Sequence, residues 1–269
     1  MKKLATIAAG VAATVVAFAG PAGAQEGTAS VVVVHGVPDT PVDVYVDGQV
    51  ALDDFEFGTV TDAISLPAGA HDLAVRAADA DASAAPILSA TATLAAGQRV
   101  SVVAHLGADG QPRLTPFVDD VSPTAAGEGR LVVRHTAAAP AVDVLAGGEP
   151  VFRDLTNPNE VSADLPAGTV SAAVALAGTT APVIGPADVP VREGRSTIVY
   201  AVGSAQAGNL SVLVQSISGL HSSPTGVAAG NSGLAAEGAG SALPVGLVAA
   251  AALGAGLLAV GAVRRQTAA

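Results

Sequence analysis

Residues 30–48, SVVVVHGVPDTPVDVYVDG, return about a hundred positions later as residues 130–148, RLVVRHTAAAPAVDVLAGG. In the first copy, valines alternate with Asp43 and Tyr45, which is the period of two expected for a strand with one buried face and one face in water. An Asp-Gly hairpin turn follows the alternation. The repeat predicts two related β modules in one chain.

Further matching segments extend the repeat on its C-terminal side. The sequence LPAG at 66–69 recurs at 165–168, and each copy precedes an alternating stretch with strand character. Counted in this way, each module holds about seven short strands in about 90 residues. No sustained helical period occurs between residues 25 and 218. The predicted fold is all-β, with two tandem antiparallel β-sandwich domains of immunoglobulin-like or transthyretin-like type.

The two ends of the chain have the composition of targeting segments. Lys2 and Lys3 precede an apolar run and a small-residue cleavage site, which predicts a signal peptide over residues 1–24. Residues 243–263 carry no charge and would span about 31 Å as a helix, close to the hydrocarbon core of about 30 Å. Arg264 and Arg265 follow, so the predicted topology is a single membrane pass with both modules outside the cell.

These observations divide the chain into seven predicted segments. In order they are a signal peptide (1–24), a first sandwich (25–121), an exposed linker (122–129, with the connection beginning near Asp119), a second sandwich (130–218), a disordered Gly/Ser/Ala stalk (219–241), a transmembrane helix (242–263) and a cytoplasmic tail (264–269). The sequence LPVGL at 243–247 leaves covalent attachment to a cell wall as an alternative to retention in the membrane.

The exported part is strongly acidic. It holds eight arginines, no lysine and 23 acidic residues, a net charge of −15. Nucleic acid is not an expected partner, because phosphate binding needs clusters of Lys and Arg. The acidic surface is typical of a soluble exposed domain.

The run VVHGVPDTPVDVYVDG at 33–48, followed by LPAG and by GQRVSVVA at 97–104, resembles the bacterial surface-domain family known as domain of unknown function 4397. The resemblance covers residues 30–121 and, more loosely, 130–218. It implies a β-sandwich in exported or envelope-anchored proteins, with no activity and no catalytic residues.

Several residues are candidates for binding. A ligand loop is predicted from His35, Pro38 and Asp39 together with Asp53, Asp54 and Glu56, because sandwich loops at one end form the usual presentation surface. His35, His105 and His135 stand at strand ends without the spacing that brings metal ligands together, so a hydrogen-bonding role is favoured. The carboxylates leave calcium open as a cofactor, although no EF-hand-type loop is present.

No sequence motif indicates an enzyme. The serines lack a nucleophile elbow, and no zinc-protease, phosphate-binding or dinucleotide motif occurs. The main hypothesis is therefore a non-enzymatic cell-envelope protein for adhesion, ligand binding or a structural role, with an envelope protein or glycan as partner. A calcium-stiffened surface module and an exported wall-polymer hydrolase are the alternatives.

Overall fold

The computed structural model describes residues 27–81 and 83–222, and within these ranges the chain forms sixteen β-strands and no helix. The all-β prediction is confirmed, with one more strand in each module than expected. The first module contains β1 (Thr28–His35), β2 (Val42–Val46), β3 (Gln49–Phe55), β4 (Ile64–Pro67), β5 (Gly69–Ala77), β6 (Leu88–Leu94), β7 (Arg99–Leu106) and β8 (Pro112–Val118). The second contains β9 (Glu128–His135), β10 (Val142–Ala146), β11 (Glu149–Leu155), β12 (Glu160–Pro166), β13 (Gly168–Leu176), β14 (Pro182–Val191), β15 (Arg195–Val202) and β16 (Ser211–Ser218).

Each module is a sandwich of two four-stranded sheets. In the first module the strand orders are β4-β1-β7-β8 and β3-β2-β5-β6, and in the second they are β12-β9-β15-β16 and β11-β10-β13-β14. We call the sheets that contain β1 and β9 the inner sheets and the other two the outer sheets. The identical order in both modules follows from the sequence repeat.

The inner sheets differ from the expected antiparallel sandwich. β1 runs parallel to β7, with Val33 opposite Val102, and β9 runs parallel to β15, with Val133 opposite Val199. Parallel strands are usually covered on both faces and have continuous apolar runs. The four consecutive valines of β1 fit this rule, because every one of them is buried.

The valines of β1 contribute to different cores. Val31 and Val33 pack against the outer sheet of the first module, whereas Val32 and Val34 pack against residues of the second module that include Ile198. The inner sheets therefore lie face to face, and the four sheets form one stack. Full burial of a valine side chain contributes about 1.5–3 kcal/mol, so this shared core is a major source of stability.

The predicted solvent face of β2 is not in water. Asp43 and Tyr45 are both about 95% buried, because β2 is a central strand and its neighbours cover it. The Asp43 carboxylate accepts a hydrogen bond from the amide of Asp54 at 3.0 Å, and the guanidinium of Arg76 lies 4.1 Å from the centre of the Tyr45 ring. These partners compensate for the burial of polar groups in a strand that reads as amphipathic.

The connection between the modules is also more buried than predicted. Asp119, Thr124 and Gly129 are buried, so the expectation of an exposed connection is wrong at these three positions. The Thr124 amide donates to the carbonyl of Leu220, and the Arg130 guanidinium donates to the carbonyl of Ser122. These bonds tie the connection to the second module.

The predicted signal peptide, most of the stalk and the transmembrane helix lie outside the described residues. Within residues 27–81 and 83–222, no helix is long and apolar enough to cross a membrane.

Candidate functional site

The first candidate residue, His35, closes its own loop. Its imidazole is 1% exposed and stacks on Phe55 with ring centres 5.6 Å apart. The amide of Val37 donates to Nδ1 at 3.3 Å, so Nδ1 must be unprotonated, and Nε2–H donates to the carbonyl of Thr40 at 2.7 Å. Burial lowers the pKa of His35, which favours this neutral tautomer. The histidine thus fixes the loop and does not face solvent.

His135 performs the same task in the second module. Its Nε2 donates to the carbonyl of Pro140 at 2.9 Å, and its Nδ1 accepts from the amide of Ala137 at 3.4 Å. Burial lowers the pKa of His135 as well. His105, at the end of β7, is also buried, with its Nε2 2.8 Å from the hydroxyl of Thr115. All three histidines are occupied by structural hydrogen bonds.

The other candidate residues lie in or near the loop of residues 36–40, which His35 holds by hydrogen bonds. Asp39, Asp53, Asp54 and Glu56 are exposed, and Pro38 is half-buried. Asp53 and Asp54 lie in β3 and not in a loop as predicted, and the stacking of His35 on Phe55 places this end of β3 beside the loop that follows His35.

Acidic residues repel one another around Asp53 in the first module. The charges of Asp43 and Asp54 raise the pKa of Asp53, and Asp79 adds to the effect. In the second module Arg153 stands in the place of Asp53, and its guanidinium lies 3.7 Å from Asp143. Among the described residues, no group of three or more His, Asp or Glu side chains is arranged to hold a metal ion.

The loops of both modules gather at this same end. A cleft of about 340 Å³ lies between the β7–β8 turn of the first module (108–110) and two loops of the second (138–140 and 204–206). The side-chain amide of Asn157 bridges the modules beside it, since it donates to the carbonyl of Leu106 at 2.8 Å and to that of Ala137 at 2.7 Å. Most of the residues that line the cleft are small, and Asp109 and Gln206 are its largest polar residues.

A buried ion pair that the sequence analysis missed joins the inner sheets. Arg134 is 1% exposed and its guanidinium donates to Asp119 Oδ1 at 2.9 Å, to Glu160 Oε2 at 2.7 Å and to the Tyr200 hydroxyl at 2.8 Å. The guanidinium also lies 4.5 Å from the centre of the Phe117 ring. Asp119 and Phe117 belong to the first module, so Arg134 connects the two modules directly.

Neutral polar groups complete this junction. The Ser101 hydroxyl lies 2.9 Å from both carboxylate oxygens of Asp119 and 3.1 Å from Gln215 Oε1. The Tyr200 hydroxyl donates to the same amide oxygen of Gln215. Burial raises the pKa of Tyr200, so the phenol keeps its proton. The sequence contained a sign of this junction, because Arg134 interrupts an apolar strand at the position where the first module has Val34.

Comparison of the sequence with known protein families finds a match. The sequence model described as "Domain of unknown function (DUF4397)" matches residues 29–145, which cover the first module and continue into β10. No curated protein matches the chain. A solved structure described as "The Bacillus anthracis TIE protein" matches with 11% identity and a TM-score of 0.21 over 65% of this chain and 33% of that one, so this chain spans about a third of its length. The resemblance to the DUF4397 family is thus confirmed over residues 29–145.

Proposed function

We propose that the chain is a non-enzymatic, exported envelope protein whose two sandwiches form one rigid body that presents loops to an envelope protein or glycan. The observation that carries the proposal is the stacking of the inner sheets, which directs the loops of both modules to one end and forms the cleft between them. A ligand at this end would contact both modules at once.

The fixed orientation of the two modules supports a role in presenting the loops around the cleft to a ligand. Arg134 and Asp119 are buried at the junction, and the core around Val34 and Tyr200 continues across it. A shared core of this kind holds the modules in one orientation, so the cleft is preorganised and a ligand does not have to order it.

The chemistry of the histidines supports binding over catalysis. A general base needs a free nitrogen within reach of a substrate proton. His35 and His135 use both ring nitrogens for hydrogen bonds to their own loops. The groups most suited to proton transfer near neutral pH are therefore committed to structure at this end of the molecule.

The sequence supports an envelope location. The charged and apolar pattern of residues 1–24 is that of an export signal, and the uncharged run 243–263 followed by two arginines is that of a membrane anchor. The cleft end would then face outward. Wall attachment through the segment 243–247 is the competing form of anchoring.

Location is tested by adding a protease to intact cells that carry an epitope tag in the exposed turn at Gly110. We expect the tag to be removed without lysis, whereas a cytoplasmic control protein survives. Complete protection of the tag in intact cells, with cleavage after lysis, would refute the outward location.

Binding at the cleft is tested with the variant Ala205→Trp, whose indole would fill the cleft from an exposed turn. Ala207→Trp is the matched control, since it adds the same side chain to the same loop outside the cleft lining. Cells or the purified unit are applied to isolated envelope material and to immobilised glycans. We expect A205W alone to reduce attachment, and equal attachment of wild type and both variants would argue against the cleft.

A further inference from the structure

β16 is an edge strand without the usual protection against pairing. Its sequence, SVLVQSIS at 211–218, contains neither charge nor proline. Edge strands normally carry such residues because their free backbone groups otherwise pair with another chain. Among the sheet edges in the described residues, β3, β4, β8, β11, β12 and β14 each carry a charge or a proline. β6 is also neutral, but its exposed face consists of Ser89, Thr91 and Thr93.

The equivalent edge of the first module shows which backbone groups of β16 are free. Pro116 of β8 lies opposite Val102 in the same way that Val214 of β16 lies opposite Val199. Proline has no N–H, so this position cannot donate to the neighbouring strand. In an antiparallel pair, such a position directs its N–H and C=O away from that strand. The backbone groups of Val214, and by alternation those of Val212 and Ser216, therefore point to the open edge.

Four side chains of β16 are exposed, and two of them, Val212 and Val214, are apolar, whereas Ser216 and Ser218 are small and uncharged. Val212 is 37% exposed and Val214 is 55% exposed. They form one side of an apolar groove, with a cavity volume of about 150 Å³, whose other side is Ile184 and Val189 of β14. In the first module the equivalent of Val212 is Leu114, which packs into the module's own core. Within the residues that the structure describes, both this strand edge and the apolar pair Val212 and Val214 are thus uncovered.

We propose that β16 pairs antiparallel with β16 of a second copy of this chain. Antiparallel pairing places residues of the same face opposite each other, so the Val212 and Val214 rows of the two copies meet and cover both groove mouths. An uncharged strand can meet itself without like-charge repulsion, whereas the acidic edge β12 cannot. On an exported part with a net charge of −15, this neutral edge is where two copies can approach closely.

The proposal is tested on the unit 25–222, which contains the six core clusters and all sixteen strands described above. Sedimentation velocity over a series from micromolar to millimolar concentration gives the oligomeric state. Val214→Pro copies Pro116 and so blocks the edge without loss of an internal ladder bond, and Val214→Lys introduces a charge there. Val118→Lys is the matched control. Val118 is similarly exposed, at 59%, but it lies on β8, where two prolines already prevent pairing with another strand.

We expect the wild type and V118K to dimerise with rising concentration, and V214P and V214K to stay monomeric with circular dichroism spectra like that of the wild type. Hydrogen exchange at the amides of Val212, Val214 and Ser216 should slow as the wild type dimerises. A wild type that is monomeric throughout the series would overturn the proposal. So would dimerisation of a folded V214P or V214K as strong as that of the wild type, or loss of dimers in V118K. None of these results depends on where the protein is located in the cell.

Discussion

Removing Arg134 from the junction should destabilise both modules together. In the variant Arg134→Met the chain keeps a long apolar side chain against Phe117 but loses the three hydrogen bonds to Asp119, Glu160 and Tyr200. Glu160 is 39% exposed in its side chain and can be solvated, but Asp119 has no exposed side-chain surface and would remain buried without its cation. Removing one partner of a buried ion pair costs about 3–5 kcal/mol, and we expect a loss in that range.

The double variant R134M/D119L separates the ion pair from general packing. It removes both charges, and replacement of a buried pair by apolar residues is often neutral or stabilising. The Ser101 hydroxyl loses Asp119 as an acceptor and the Tyr200 hydroxyl loses Arg134 as a donor, so recovery will be incomplete. The double variant should still be less destabilised than the sum of the two single variants, with a coupling energy of about 1–3 kcal/mol.

Urea unfolding of the unit 25–222, followed by far-ultraviolet circular dichroism, measures these free energies. Because the core around Val34 and Tyr200 belongs to both modules, the wild type should unfold in a single transition. Two separate transitions in the wild type, or a loss below about 1 kcal/mol in R134M, would show that the modules do not depend on the junction and would refute the reasoning.

Three further predictions concern single positions. Gly36→Ala should cost about 1–3 kcal/mol, because its Cβ would lie 2.7 Å from a methyl group of Val202 across the junction. Gly168→Ala should cost less in the same urea assay, because the nearest atom to its Cβ would be the carbonyl oxygen of Pro166 at 3.9 Å, an ordinary van der Waals contact. The free energy of unfolding should fall as the pH drops below 6.5, because burial lowers the pKa of His135 and the unfolded chain then takes up a proton that the folded chain does not. For this histidine the free energy changes by at most about 1.4 kcal/mol per pH unit. The variant H135Q should show a smaller change of stability with pH. His71 has a raised pKa and contributes with the opposite sign, so the slopes are compared between variants with His71 intact. Asp53→Arg, which copies the arginine of the second module, should raise the melting temperature at low salt and lose this effect at high salt, and an unchanged or lower value would contradict the repulsion inferred at this loop.

Local structure was predictable from the sequence because it depends on short-range patterns. The alternation at 42–46 and 142–146 coincides with β2 and β10 in the structure. The position of the candidate residues near His35 was also predictable, because loops that follow strand ends gather at one end of a sandwich. The tautomer and burial of His35 did not follow, since they depend on the carbonyl of Thr40 and the ring of Phe55.

The packing of the modules was not predicted because period-two patterns describe one buried face. A strand covered on both faces has no alternation, and the four valines of β1 contain that information. The sequence predicts separate modules joined by a linker, and such modules offer no partner for the second face of β1. An exposed connection would leave Asp119 in water, whereas in the structure Asp119 and Arg134 are both buried and paired across the junction.

The junction explains why the second copy has diverged on its inner sheet. Val34 of the first module is replaced by Arg134 in the second, and Asp119 of the first module is replaced by Ile217. Each polar residue faces its partner across the junction and not its own counterpart, so the two inner faces are complementary rather than alike. Two identical copies of either module would bury a charge without its partner. The buried faces therefore require two unlike modules, and the divergence of the second copy does not require a second ligand site.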